Sequence, residues 1–539
     1  MRISFKPITQ YNFIIFSAVF FGLFYNQSFF LNVLKVYNPT LSNVIFVISL
    51  FFVLVSFIVI IFTLFSSRYT TKLILIATLF ISSFTSYFMQ TYNVVIDEGM
   101  IRNSLQTNLN ESMDLFSYKL VLYVFFLGII PSYYVYKQPI KFNSWRQEFF
   151  SKLKVIGIAL GLIVVLLILF SKFYASFFRE HKPLRYYTNP TYWIYSIGKY
   201  MSKTSKTGSV IVQSIGLDAK VEEEQDEAKE LVVLVVGEAA RADRFSLNNY
   251  SRETNPLLSK ENDLVSFESM HSCGTSTAVS VPCMFSIFTK DNYTYDKGMS
   301  TQNILDVLVN TGSVDILWRD NNSDSKGVAL RVPYEDFRTP KTNTVCDTEC
   351  RDEGMLVGLD KYIELHKNRD ILIVLHMMGN HGPAYYKRYT KEYEKFKPVC
   401  ETNQLEECSA ESISNAYDNA ILYTDYFLSK VIEFLKQYDK THEATMFYIS
   451  DHGESLGESG LYLHGLPYFM APDNQTHVAS IVWFGDGMKE DINTTTLQSY
   501  SNKDFTHDNI FHSLLGLFEV NSNLYDKKKD VLHDAKIPE

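Results

Sequence analysis

The chain has 539 residues, 47% hydrophobic and 15% aromatic, and its 50 Lys and Arg against 59 Asp and Glu give a formal charge of −9. That length suits two or more domains, and a mean hydropathy near zero hides a split: residues 1–174 carry 13 Lys and Arg against 5 Asp and Glu, the remainder 37 against 54. The pattern disfavours a purely soluble enzyme, a disordered chain and a nucleic-acid binder with a basic face.

Five stretches of the first part carry no charge: residues 7–34, 36–67, 73–96, 120–136 and 155–171. Crossing the hydrocarbon takes roughly 20 apolar residues, with a floor near 17, so each is expected to span, the last two helped by flanking Lys side chains that snorkel. Five such helices packed as a soluble core would need an enormous interior. The first is also too long and Phe-rich for a signal peptide and lacks a small-residue cleavage site. With the N-terminus inside, Arg2, Lys6, Arg68, Lys72, Lys137, Lys141, Arg146, Lys152 and Lys154 fall on the cytoplasmic side, and Lys35, Arg102, Lys119 and Lys172 on the other. Positive charge collects inside, so everything after the fifth span lies outside the cytoplasm. Between the third and fourth spans, Asn103, Thr107 and Glu111 are spaced i, i+4, i+8 and would share one face of a helix.

Residues 175–228 join the two parts. A helix is expected to start near Pro190, and its Tyr192, Trp193 and Tyr195 are residue types that settle at headgroup depth or pack on the soluble domain. Residues 204–209 (TSKTGS) and 222–227 (EEEQDE) read as solvated linker.

From residue 229 the texture is α/β. Residues 231–236, 314–318, 371–375, 445–450 and 478–484 are short apolar runs suited to strands covered on both faces, and Ile413, Ala416, Ala420, Phe427, Val431 and Leu435 mark one face of a long helix. Such alternation implies a mainly parallel sheet with ligands beyond the carboxyl ends of its strands. All six Cys lie in this part, and proximity pairs Cys273 with Cys283, Cys346 with Cys350 and Cys400 with Cys408. A disulfide framework implies an oxidising compartment. The competing zinc site at Cys346, Cys350 and Cys400 lacks a His at ligand spacing, whereas the Cys346–Cys350 loop is short for a bridge.

Chemistry collects where these strands end. The first runs into Gly237-Glu238, the third into His376 and then Asn380-His381-Gly-Pro383, the fourth into Ser450-Asp451-His452-Gly-Glu454, with His464 shortly after. Carboxylates and imidazoles delivered to one sheet edge suit a divalent ion, and mixed O/N ligands favour zinc. Residues 273–283 (CGTSTAVSVPC) place hydroxyls at a helix start, where backbone N–H groups would hold a phosphate. A hydroxyl beside a metal is a competent nucleophile. Composition leaves Thr275, Ser276, Thr277 and Ser280 open for that role.

Together, VGEAARADR at 236–244, GTST at 274–277, NHGP at 380–383 and SDHGE at 450–454 resemble the bacterial lipid A phosphoethanolamine transferases, including the mobile colistin-resistance type. The resemblance covers essentially the whole chain. It implies a transmembrane domain of five helices (1–174), a linker with an interfacial helix (175–228) and a periplasmic catalytic domain of alkaline phosphatase/sulfatase type (229–539). It implies zinc, one ion or two, held by Glu238, Thr277, Asp451 and His452, with Thr277 as the residue modified. His381 and His464 match positions that bind the phosphate or a second zinc, and Ser323 and Lys326 positions near the transferred group. Asn103, Thr107 and Glu111 would lie at the lipid headgroup.

The reaction implied is transfer of phosphoethanolamine from phosphatidylethanolamine to lipid A phosphate through a phospho-threonine, in a multi-pass monomer of the bacterial inner membrane, conferring polymyxin resistance. No nucleic-acid partner is expected. The alternatives are a phosphotransferase or phosphohydrolase using a glycan or glycerophosphate polymer, and a non-catalytic membrane receptor. A sulfatase is disfavoured because the nucleophile loop lacks Cys-x-Pro-x-Arg.

Overall fold

A computed structural model describes residues 5–107, 109–204, 211–221 and 228–537. The expected linker stretches at 205–209 and 222–227 lie outside these residues. The chain divides into two compact units, Met1–Ile101 with Phe116–Lys206, and Arg102–Leu115 with Thr207–Glu539. The loop between the third and fourth spans therefore sorts with the soluble unit, and the helix Thr191–Thr204 with the membrane unit.

In the membrane unit, Leu41–Phe65, Thr71–Thr91, Tyr118–Lys137 and Trp145–Leu169 are each long and apolar enough to cross a bilayer. The expected first span is not a straight helix: Gln10–Phe24 and Gln27–Val36 meet at 55°, and the two make a fifth crossing only if the bent pair counts as one span. Asn26, fully buried at the break, explains the bend. Its amide donates to the carbonyl of Phe21 at 2.9 Å and to that of Asn189 at 2.6 Å, and its Oδ1 accepts the Asn189 N–H at 2.8 Å. A side chain that takes backbone partners in this way interrupts the helical ladder. Within Tyr118–Lys137, a π-helical stretch at Val124–Ile129 precedes Pro131, which has no N–H to close an α turn. The helix at 191 starts beside Pro190 as expected, and Tyr195 is exposed. Trp193 is buried, its indole N–H donating to Ser82 and Asn189 at 3.2 Å within the membrane unit.

In the soluble unit eight strands form one sheet: β1 Lys229–Gly237, β2 Leu264–His271, β3 Val314–Asp320, β4 Tyr334–Asp336, β5 Asp370–His376, β6 His442–Ser450, β7 His477–Phe484 and β8 Asp504–Thr506. Their order is β8-β2-β7-β6-β1-β5-β3-β4, and β7 alone runs against its neighbours. The centre is β1, whose residues 231–236 are all fully buried. β-branched Val suits a pleated strand covered on both faces, and each such side chain contributes roughly 1.5–3 kcal/mol on burial. The five apolar runs fall on β1, β3, β5, β6 and β7. Strand β2 went unexpected because Ser266, Glu268, Ser269 and His271 interrupt its apolar pattern, and the edge strands β4 and β8 are only three residues long.

The helix Ala410–Leu435 starts at Ser409, whose hydroxyl accepts the Ser412 N–H at 3.1 Å, and it buries all six positions of the expected face. The six cysteines pair in sequence order, Cys346–Cys350 included.

Candidate metal centre and nucleophile loop

Because β1, β3, β5 and β6 are mutually parallel, their carboxyl ends deliver Glu238, Asp320, His376 and Asp451-His452 to one edge. The turn after β1 is laced to the turn after β6: Asp451 Oδ1 accepts the Ala239 N–H at 3.1 Å and the Ser450 hydroxyl accepts the Ala240 N–H at 2.7 Å. Ala239 pays for this turn with a left-handed φ of 53°. Gly379 packs so closely over Glu238 that a Cβ there would lie 3.0 Å from the Glu238 carbonyl oxygen, so the chain needs glycine at that point.

Glu238, Asp451 and His452 are fully buried, and their ligand atoms lie within 4.8 Å of one another. His452 Nε2 is 3.3 Å from Glu238 Oε1 and 3.5 Å from Asp451 Oδ2. Its other nitrogen, Nδ1, donates to the Gly453 carbonyl at 2.8 Å, which turns the Nε2 lone pair toward the carboxylates. Glu238 Oε1 and Asp451 Oδ2 are buried without a hydrogen-bond partner. Two orphaned carboxylate oxygens facing an imidazole lone pair fit a divalent cation.

The electrostatics agree. Burial raises the Glu238 carboxyl, but His452, His381 and His464 outweigh it and hold Glu238 well below the usual carboxylate range. Burial and repulsion from Glu238 push Asp451 up to about 6. Burial lowers His452, yet Asp451 and Glu238 lift it to about 10. The cluster thus attracts positive charge, as proton or as metal.

Across from it starts the helix Thr277–Met284, with Ser276 as its N-cap. Thr277 Oγ1 donates to Glu238 Oε2 at 3.1 Å and lies 3.5 Å from His452 Nε2. The Thr275 hydroxyl is turned away to the Leu466 carbonyl at 2.6 Å, and that of Ser280 donates to the Asp451 carbonyl. Cys273–Cys283 brackets the loop. His507 supports it from behind: its Nδ1 accepts the Cys273 N–H at 3.2 Å and its Nε2–H donates to the Ser450 carbonyl at 3.0 Å. His464 packs against His452 with tilted rings, centroids 4.2 Å apart, and His381 lies edge-on to His464 at 5.7 Å.

Two family models match, one described as Phosphoethanolamine transferase EptA/EptB over residues 54–205 and one as Sulfatase over residues 230–520. Phosphatidylethanolamine transferase Mcr-2 of Escherichia coli is 44% identical over 513 residues, 93% of this chain and 94% of that protein. The chain belongs to the phosphoethanolamine transferases. Among solved structures, the integral membrane lipooligosaccharide phosphoethanolamine transferase A of Neisseria meningitidis matches with a TM-score of 0.94 at 33% identity, covering 99% of this chain and 100% of that one. The periplasmic domain of phosphoethanolamine transferase EptC from Campylobacter jejuni matches with a TM-score of 0.53 at 41% identity, covering 60% of this chain and 97% of that one. The sheet described above is thus a transferase domain of sulfatase type, carried by a membrane-embedded chain of this family.

In this transferase the loop after β3 brings in Asn322 and Asp320, which the sequence had not singled out, beside Ser323 and Lys326, which the family resemblance had marked. Asn322, fully buried, donates from Nδ2 to Glu238 Oε2 at 2.8 Å. Asp320 organises that loop: its Oδ1 accepts the N–H groups of Asn322 and Asp324 at 3.0 and 3.1 Å, and its Oδ2 accepts from Trp318 and from His376 Nδ1 at 2.9 Å. His376 thereby acquires a place, holding the carboxylate that shapes the loop. Ser323 bonds the side chain of Asn322, and buried Lys326 donates to the Ser323 carbonyl at 2.9 Å. The signal for this loop was the family resemblance, which marked Ser323 and Lys326; residue order alone reads as a solvated loop.

The expected face of Asn103, Thr107 and Glu111 is not one helix. Helices Glu98–Gln106 and Leu109–Asp114 are separate, and Thr107 lies between them with its hydroxyl donated to the Asn103 carbonyl at 2.7 Å. That bond competes with the ladder at the helix end. The Glu111 side chain lies outside the described residues.

Proposed function

We propose that this transferase moves phosphoethanolamine from phosphatidylethanolamine to lipid A phosphate groups through a covalent intermediate on Thr277. The observation that carries this reading is the Thr277 hydroxyl at the start of a helix, 3.1 Å from Glu238 and 3.5 Å from His452. Glu238, Thr277, Asp451 and His452 would hold one zinc ion, which would supply Lewis-acid polarisation of a phosphoryl oxygen and of the Thr277 hydroxyl. His381 and His464 would bind the phosphate or a second zinc.

In the first half, Thr277 Oγ1 attacks the donor phosphorus, the bond to the diacylglycerol oxygen breaks, and diacylglycerol leaves as the alcohol. In the second, a lipid A phosphate oxygen attacks the phospho-threonine and the Thr277 hydroxyl is restored. The N–H groups at the helix start and Lys326, with Ser323 beside it, would stabilise the charge spreading over the phosphoryl oxygens. Asn103, Thr107 and Glu111 would receive the ethanolammonium, the carboxylate supplying the opposite charge. The membrane helices supply proximity, since confining both lipids to one surface replaces a three-dimensional search.

We place the enzyme in the bacterial inner membrane with the catalytic unit in the periplasm. Charge bias inside the loops and three disulfides confined to the soluble unit support that placement. An ammonium added beside a lipid A phosphate offsets its negative charge, weakening attraction for cationic polymyxins. Mass spectrometry of lipid A from cells with and without the protein tests the reading. One added phosphoethanolamine is the expected shift; an unshifted lipid A, with the mass appearing on a glycan or polymer, would transfer the chemistry to another acceptor.

A further inference from the structure

The segment Arg102–Leu115 enters the soluble unit from the chain between two membrane helices, and it is fastened there at both ends. At one end the guanidinium of Arg102 lies 3.9 Å above the ring of Tyr295. At the other, Asp114 is nearly buried, its side chain 9% exposed, and it meets two cations. Its Oδ2 accepts from Arg388 Nη2 at 2.6 Å, its Oδ1 pairs with Lys387 Nζ, and its backbone carbonyl accepts from Asn403 Nδ2 at 2.6 Å. Burial raises the Asp114 carboxyl, but Arg388 and Lys387 outweigh it and keep it below the ordinary carboxylate range, so the pair is ionic.

Arg388 does more than hold Asp114. Its side chain is 2% exposed, and each of its three nitrogens has a partner. Nη1 pairs with Glu349, next to the Cys346–Cys350 bridge, and Nε donates to the backbone carbonyl of His381 at 2.7 Å. One guanidinium thus ties together the incoming segment, the disulfide loop and the residue proposed to handle the phosphate. Asp114, Arg388, Lys387 and Glu349 also line a cavity of about 290 Å³ that includes Asn322, the donor to Glu238.

We propose that Asp114 and Arg388 are positioning residues: together they dock the segment Arg102–Leu115 on the transferase domain, presenting a headgroup held by the segment to the phosphate-handling imidazole, and Arg388 alone also holds the His381 backbone. The inference rests on the reading of Asn103, Thr107 and Glu111 as donor contacts. Neither positioning residue touches the reacting atoms. Removing one member of a buried ion pair strands the other's charge, so the contact is sensitive to a single uncharged substitution.

The test uses the full-length enzyme in detergent micelles with two donors, phosphatidylethanolamine and a soluble aryl ester of phosphoethanolamine, alongside hydrogen exchange over the segment. Asp114→Asn is expected to speed exchange across the segment and to lower kcat/KM for the lipid donor by about tenfold or more, chiefly through KM. Aryl-ester turnover and metal content stay within about twofold of wild type, which also reports correct folding. Asp114→Glu, which keeps the charge, should recover most of the lipid-donor activity. Arg388→Lys should depress turnover of both donors, because it also releases the His381 carbonyl.

Unchanged exchange in Asp114→Asn, or faster exchange with undiminished use of lipid donor, overturns the docking role. An Arg388→Lys enzyme that spares the aryl ester overturns the link to His381. A wild-type enzyme that turns over neither donor defeats the functional reading instead, and the exchange measurement then still decides whether Asp114 docks the segment.

Discussion

The strand-end edge and the segment Arg102–Leu115 are built on opposite principles. At the edge, Glu238, Asp451 and His452 sit at the ends of central strands, fully buried, with backbone and side-chain bonds from the turns after β1, β3, β5 and β6. The segment is two short helices interrupted at Thr107, held by Arg102 on Tyr295 and by Asp114 on Lys387 and Arg388. The difference separates two tasks. Chemistry on phosphorus needs groups fixed to fractions of an ångström, and only strand ends anchored in a core hold them so. On the function proposed above, gripping a lipid headgroup falls to the segment, whose anchors are side-chain contacts rather than strand ends.

Substitutions at the edge should therefore act on every donor, and those in the segment on lipid donor alone. The largest effect is expected for Thr277→Ala, which removes the proposed nucleophile: turnover of both donors falls on the order of a thousandfold or more, and intact-protein mass spectrometry no longer detects a phosphoethanolamine adduct. Retained adduct would move the nucleophile to a neighbouring hydroxyl. His452→Ala comes next. Losing the imidazole beside Glu238 and Asp451 should deplete bound metal, by elemental analysis of purified protein, in parallel with turnover; full metal with lost turnover would separate His452 from ligation. Glu111→Ala should weaken use of phosphatidylethanolamine by about tenfold while sparing the soluble ester, and equal loss on both would erase the contrast between the two regions.

The smallest effect is on stability and concerns the support of the nucleophile loop. Burial drives the His507 imidazole down to about 3, with the neighbouring charge of His452 adding to it. An unfolded histidine titrates near 6.5. The folded value lies below the unfolded one, so this stabilisation is complete above pH 6.5 and drains as pH falls toward 3, at roughly 1.4 kcal/mol per pH unit. Denaturant unfolding should therefore show a steeper acid loss in wild type than in His507→Gln. Parallel pH profiles would remove His507 from the account.

Much of the architecture was legible in the residue order. Charge-free runs marked the membrane helices because lipid admits no unpaired charge or backbone. Strands β1, β3, β5, β6 and β7 were legible because a strand covered on both faces must be apolar throughout. The same patterns placed Glu238, Asp451 and His452 at strand ends, where parallel strands converge.

Other features were invisible for want of local signal. The bend in the first span depends on Asn189, 163 residues from Asn26. The role of Asp320 depends on His376, 56 residues away, and that of Asn322 on Glu238, 84 residues away. The break at Thr107 overrode a spacing that assumed one unbroken helix.

Residue order by itself determined which parts meet lipid and which meet water, the class of sheet, and the metal-liking residues at its edge, because each is a matter of periodicity and polarity along the chain. Composition left four hydroxyls open and the family resemblance pointed to Thr277; the tertiary structure faces Thr277 toward Glu238 and His452 and turns Thr275 and Ser280 away. It alone joined Asp114 to Arg388. Those choices rest on directional bonds between residues far apart in the chain, whose geometry exists only once the sheet has aligned its strand ends.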